Sequence, residues 1–156
     1  MIAIFGNIRS RYNVGSMFRT ADAAGIEKIY LCGVTPTPVD AFGRACKKIA
    51  KVALGAETSV AWEQRKSIVR LLQNLKKQGF FIICAEICDT PIPYINFKIP
   101  KGRKEKIALV MGSEVDGLSK NILTVADTIL SIPMHGKKES LNVSVAFGIL
   151  AFYLIR

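Results

Sequence analysis

Five short runs of this sequence are apolar almost from end to end: residues 2–5, 29–32, 80–85, 107–111 and 129–134. A strand that offers no polar side must be covered on both sides. Such runs therefore belong to a parallel sheet with helices on each face, not to a sheet with one wet face. The segments between and after them carry helical periodicity. Residues 13–24 align Val14, Met17, Phe18 and Ala21 on one stripe, with Asn13 as N-cap and Gly25 as the stop. Residues 61–78 predict an amphipathic helix, with Ile68, Leu72 and Leu75 inward, Arg65, Lys66, Arg70, Lys76 and Lys77 outward, and Gly79 ending it. Residues 142–155 predict the last helix. The expected fold is α/β: a single domain over residues 1–156, with a mostly parallel sheet and helices on both faces.

Half of the 156 residues are hydrophobic. A chain of that length hides about 70% of its unfolded surface, so it supports a real core and is not disordered. Two long loops are expected at 35–50 and 89–105, marked by Pro36, Pro38, Pro91, Pro93 and Pro100. Both are basic. Arg44, Lys47, Lys48 and Lys51 lie in or just after the first, and Lys98, Lys101, Arg103, Lys104 and Lys106 in or just after the second.

The charge balance points to a polyanion. Lys plus Arg number 22 against 12 Asp plus Glu, a formal charge of +10. Nucleic acid is the first partner such a surface suits and an anionic membrane the second. Residues 145–155, the longest apolar stretch, fall well short of the roughly 20 that cross a bilayer. With no targeting segment at the start, the expectation is a soluble cytoplasmic protein with reduced cysteines. The last helix has almost no polar face, so it is expected to pack on the sheet and also on a second subunit.

Familiar catalytic patterns are missing. His135 is the one histidine, and Cys32, Cys46, Cys84 and Cys88 form no CxxC pair, so core packing is the better reading of the strand cysteines than metal binding. Neither a GxxxxGK[ST] loop nor a GxGxxG after the first strand is present. Three segments remain, each a strand end leading into a loop or helix.

The first runs from Asn7 to Ala21 and holds Arg9, Arg11, Asn13 and Arg19. Its helix start suits a phosphate, or is simply a capped core helix. The second, Leu109 to Ser119, contains Gly112, Glu114 and Gly117. It is either a two-glycine turn or a ligand loop at the C-terminal end of a strand. The third, Ile132 to Ala146, contains Met134, Ser140, Leu141 and Asn142, with Ser140 or Asn142 able to cap the last helix.

Taken in this order, the three segments resemble the signature motifs of the SPOUT class of RNA methyltransferases, in the branch named after SpoU and TrmH. The matches fall at Asn13, Arg19 and Gly25; at Gly112, Glu114, Gly117 and Ser119; and at Ile132 to Met134 with Ser140 to Ala146. The stretch Lys51 to Glu57 also looks like the family. The resemblance covers nearly the whole chain.

It implies a C-terminal deep trefoil knot, a homodimer packed through the knotted region, and S-adenosylmethionine as cofactor. The implied reaction is methyl transfer to a ribose 2′-hydroxyl in tRNA or rRNA. Carried over by motif, Gly112, Ile132, Met134 and Leu141 would bind the cofactor through their backbone. Arg19, Asn13, Ser140 and Asn142 would form the catalytic set, and Arg9, Arg11 and Glu114 would meet the substrate. Two positions depart from the pattern. Tyr153 stands where many relatives have glutamate, and Ala53 where serine is common. No appended RNA-binding domain is expected, so substrate choice would rest on the dimer surface and the basic loops. The alternatives are a non-catalytic RNA-binding or ribosome-assembly module of the same fold, or a small-molecule-binding protein with incidental charge.

Overall fold

The computed structural model describes residues 1–88, 90–102 and 106–155. Its elements in chain order are β1 (Ile2–Gly6), α1 (Arg11–Ala23), β2 (Lys28–Cys32), α2 (Lys47–Ala53), α3 (Ala56–Ser59), β3 (Ala61–Arg65), α4 (Ile68–Lys77), β4 (Phe81–Ala85), β5 (Ile92–Pro93), a 3-10 turn (Tyr94–Asn96), β6 (Ile107–Met111), α5 (Lys120–Leu123), β7 (Thr128–Ser131) and α6 (Val143–Leu154). The strands form one sheet in the order β3-β2-β1-β6-β4-β7-β5. Every pairing in it is parallel. This is the α/β architecture expected from the unbroken apolar runs.

Because side chains alternate across a strand, each central run feeds two cores. Ala3, Phe5, Ile83, Leu109 and Met111 point to one face, where α1 and α6 supply Val14, Met17, Phe18, Phe147, Leu150 and Leu154. Phe5 and Phe147 meet edge to face at 5.1 Å. Ile2, Ile4, Ile82, Cys84, Ala108 and Val110 point to the other face, which α4 covers with Ile68, Leu71, Leu72 and Leu75.

Four expectations need correction. The segment 61–78 is not one helix. Residues 61–65 form β3, paired in register with β2 from Lys28↔Ala61 to Cys32↔Arg65, and the helix begins only after Ser67 caps it. β3 is an edge strand with a mostly polar exposed surface, so it lacks the apolar signature of the inner strands. Second, Ser10 and not Asn13 is the N-cap of α1; its hydroxyl accepts from the Asn13 backbone N–H at 3.2 Å, and the Asn13 side chain is left for other work. Gly25, at φ +66°, does follow the end of the helix.

Third, the 35–50 loop already contains the start of α2. That helix lies so close to α1 that a Cβ built on Gly15 would sit 2.6 Å from the Ile49 carbonyl oxygen. The 89–105 loop likewise holds β5 and the 3-10 turn; Arg103 and Lys104 lie outside the described residues. Fourth, β7 stops at Ser131, so Ile132 to Met134 lie beyond the sheet.

α6 is capped by Asn142, whose Oδ1 accepts from the Ser144 N–H at 2.9 Å. It is buried on the sheet side only: Val145 is 50% and Phe152 49% exposed. Among the described residues no helix is long and apolar enough to cross a membrane.

Candidate functional site

The C-terminal ends of parallel strands open on one edge of the sheet, the usual ligand edge of an open α/β fold. Here the loops after β4, β6 and β7 enclose a cavity of about 210 Å³. Gly112, Glu114, Ile132, Met134, Ser140 and Leu141 all line it, and α6 closes the wall with Val143, Ala146 and Leu150. All six of these residues come from the two later motifs, beyond the ends of β6 and β7 and before α6. Irregular chain of this kind leaves backbone N–H and C=O groups outside strand and helix ladders, available to a ligand.

The loop after β6 is tightly built. A Cβ on Gly112 would lie 2.7 Å from the Gly117 carbonyl carbon, so any side chain there would push the loop open. Gly117 adopts φ +61° and donates its N–H to the Ser113 carbonyl at 3.1 Å. The Ser113 hydroxyl accepts from the Asp116 N–H at 2.9 Å. Glu86, the first residue after β4, fastens this loop from outside its own sequence: its carboxylate accepts from the Leu118 N–H at 2.6 Å and from its neighbour Ile87 N–H at 2.9 Å. Motif reading missed Glu86. The available signal was an acidic residue directly after a solid apolar strand.

Three segments far apart in sequence meet through side chains at the cavity edge. The Asn13 amide donates to Glu114 Oε1 at 2.6 Å, and Asn13 Oδ1 accepts from the Asn142 amide at 3.2 Å. Asn13 thus joins the first motif to both others, while Asn142 caps α6 with its oxygen and reaches Asn13 with its nitrogen. Arg9 approaches Asp116 at 3.6 Å, an exposed pair that adds little stability. The Arg11 and Arg19 side chains are exposed and make no hydrogen bond or ion pair among the described residues. Arg19 lies six residues past Asn13, about 9 Å along the helix and about 240° around it. The structure therefore brings Asn13, Glu114 and Asn142 together and leaves Arg19 on a separate stripe of α1, with Tyr12 and Ser16.

The two strand cysteines play no open part here. Burial pushes the Cys32 and Cys84 thiols up to about 12, with the carboxylates of Glu86 and Asp127 adding to the effect at Cys84.

The SpoU rRNA Methylase family model matches residues 1–152. A 23S rRNA (guanosine-2'-O-)-methyltransferase, RlmB, of Ralstonia nicotianae is 33% identical over 100% of this chain and 58% of its own length. A tRNA (guanosine(18)-2'-O)-methyltransferase of Aquifex aeolicus is 30% identical over 97% of this chain and 67% of its own. The chain thus spans about six tenths of the length of the 23S rRNA relatives it matches. Among solved structures, the SpoU methyltransferase AviRb of Streptomyces viridochromogenes, in complex with AdoMet, superposes with a TM-score of 0.84. It shares 21% identity, and the match covers 99% of this chain and 59% of that one. With a family model spanning all three motif segments and every element that builds the cavity, the chain belongs to the SpoU rRNA Methylase family.

Proposed function

We propose that this chain is an S-adenosylmethionine-dependent RNA methyltransferase acting on a ribose 2′-hydroxyl of tRNA or rRNA. The observation that carries the reading is the joining of Asn13, Glu114 and Asn142 at the mouth of a cavity built from the two later motifs. A core helix with a decorative cap has no need of that junction. The family relationship and the relatives' names support the same chemistry.

The residues present fit the cofactor. The cavity has an apolar wall, a close glycine approach at Gly112 and irregular backbone at Ile132, Met134 and Leu141, which suits an adenine edge and a sulfonium-bearing methionine chain. At about 210 Å³ it is smaller than the roughly 300–1,000 Å³ of most small-molecule pockets, so the residues at its open mouth would also have to take part in holding the donor. When bound, S-adenosylmethionine supplies an electrophilic methyl group on sulfur.

The chain's own residues then supply alignment and charge. Asn13 holds Glu114 and Asn142 in one arrangement, and with Ser140 they offer donors and acceptors that orient a ribose. The Arg19 guanidinium offers a fork of N–H donors and no acceptor, so it stabilises the developing alkoxide and grips a nearby phosphate instead of acting as a base. Arg9 and Arg11, just before α1, add cations for the RNA backbone.

A homodimer through α6 fits the same reading, since Val145 and Phe152 leave that helix half covered. α6 packs beside α1, with Gly148 close to Thr20, so a second protomer seated on α6 lies near the Arg19 stripe. We read residues 1–156 as one methyltransferase domain whose C-terminal part is knotted, working in the cytoplasm where its RNA is.

The test combines donor binding with methyl transfer. Titration calorimetry and thermal shift with S-adenosylmethionine are expected to show binding, with about 2.7 kcal/mol of added stability at 100 times the dissociation constant. Transfer of labelled methyl to rRNA and tRNA, with the modified ribose mapped by mass, identifies the substrate. Arg19→Ala is expected to lose roughly 10²–10³ in rate while the donor heat remains. No donor heat at millimolar concentration overturns the assignment and favours a binding-only module.

A further inference from the structure

The tip of the segment between β2 and α2, residues 39–45, is neither core nor part of the cavity, yet it is tightly organised. Val39 and Ala45 form an antiparallel bridge, and the Asp40 N–H donates to the Arg44 carbonyl at 3.0 Å. Asp40 Oδ1 accepts from the backbone N–H groups of Phe42 at 2.8 Å and Arg44 at 3.0 Å, and its Oδ2 takes the Arg44 Nε–H at 2.7 Å. Gly43 completes the reversal at φ +76°. This much local bonding fixes the tip, and what the tip presents is Phe42, 82% exposed, the most exposed large apolar side chain among the described residues. The Arg44 guanidinium lies 5.1 Å from the centre of its ring.

A phenyl ring held out in water by a preorganised turn contributes nothing to the fold. Its surroundings say what it suits. From Ala41 to Ala56 there is no acidic residue, while Arg44, Lys47, Lys48 and Lys51 are exposed and follow one another within eight positions. The one nearby carboxylate, Asp40, is committed to Arg44. α2 carries the lysines and is clamped to α1 at Gly15, and α1 carries Asn13 into the site. An aromatic face backed by a guanidinium and flanked by lysines matches an unstacked nucleobase with its phosphates.

We propose that the Phe42–Arg44 tip is a stacking platform for a base of single-stranded RNA, with Lys47, Lys48 and Lys51 holding the adjoining phosphates. This rests on the methyltransferase reading and gives it a substrate class: RNA with an unpaired nucleotide near the modified ribose. Paired stems offer no free base face to such a platform.

Fluorescence anisotropy with labelled oligo(rA)12 and with an abasic ribose-phosphate 12-mer of equal charge separates stacking from charge. Phe42→Ala is expected to weaken oligo(rA)12 binding about 5- to 150-fold and leave the abasic oligomer unchanged, with Phe42→Trp restoring affinity. Lys47→Ala with Lys48→Ala is expected to weaken both oligomers alike and to reduce the salt slope by about 1.4. The proposal is overturned if wild-type protein fails to prefer oligo(rA)12 over the abasic oligomer, or if Phe42→Ala binds both as wild type does. It is equally overturned if sedimentation shows that Phe42→Ala changes the oligomeric mass with oligonucleotide affinity intact, which would assign the tip to a contact between copies. S-adenosylmethionine titration of wild type and Phe42→Ala runs alongside. Missing donor heat in both counts against the methyltransferase reading alone, whereas equal heat in both with lost base preference in the variant supports the platform.

Discussion

α4 and α6 cover opposite faces of the same sheet and are finished differently. α4 buries Ile68, Leu71, Leu72 and Leu75 and turns charged or polar residues to water, so its outer surface is complete. α6 buries Val143, Phe147, Leu150, Ala151 and Leu154, but its other side continues with Val145, Ile149 and Phe152. The inner faces are equivalent in kind. The outer faces differ: α4 turns polar residues to water, whereas α6 leaves apolar side chains uncovered.

Truncating the inner faces is the largest perturbation and the one expected to treat the helices alike. Phe147→Ala, which removes the edge-to-face contact with Phe5, is expected to cost about 3–5 kcal/mol, and Leu72→Ala about 2–5 kcal/mol, read from urea unfolding. Charging the outer faces is expected to separate them. Val145→Lys with Phe152→Lys should shift the sedimenting mass to a monomer, each residue forfeiting up to roughly 1.5–3 kcal/mol of burial, whereas Gln73→Lys on α4 should leave the mass unchanged. An unchanged mass in both variants would make the two outer faces equivalent and remove the contrast.

The caps sharpen it on a smaller scale. Ser67→Ala and Asn142→Ala each lose an N-cap and are expected to cost about 1 kcal/mol of stability. Only Asn142→Ala should also depress methyl transfer, because its amide is tied to Asn13. The smallest effect concerns thiols on the α4 side. Cys32 and Cys84 are pushed up to about 12 by burial, so alkylation of the native protein at pH 8 is expected to modify Cys46 and Cys88 first. The folded state keeps these protons longer than the unfolded chain, so their contribution is constant at neutral pH and falls as pH rises from about 9 toward about 12.

Much of this fold could be read in the sequence where burial is complete on both sides. Ile2 to Phe5 and Ile107 to Met111 announce themselves because no polar residue interrupts them. Trp62 to Arg65 do not, because an edge strand with a wet surface borrows the polar pattern of a helix flank. Lys47 to Ala53 carried a usable signal in the spacing of Ile49 and Ala53, obscured by the prolines just upstream. At the site, Gly112, Ile132, Met134 and Leu141 could be proposed from motif order. Their meeting with Asn13 could not be derived from periodicity, since the side-chain bonds span 101 and 129 residues. Local pattern carries no information about contacts at that range. Glu86 escaped for a related reason: its work is done on a loop 32 residues away.

The position of β6 has a consequence for how the chain reaches this state. It sits between β1 and β4, pairing Ile2 with Ala108 and Phe81 with Ile107. As the polypeptide emerges from its N-terminus, β1, β2 and β3 are available to pair early, yet β1 keeps a bare edge until residue 107 has been made. β4 precedes β6 in the chain and has no native strand on either side while it waits, since β7 comes later still. The middle of the sheet therefore closes only once β6 has been made, with the β7–β5 edge following it, through loops of high entropic cost. Folding is expected to be slow and to depend on the final third of the chain. Chains halted before β6 expose two apolar strand edges to one another, the circumstance in which copies associate wrongly.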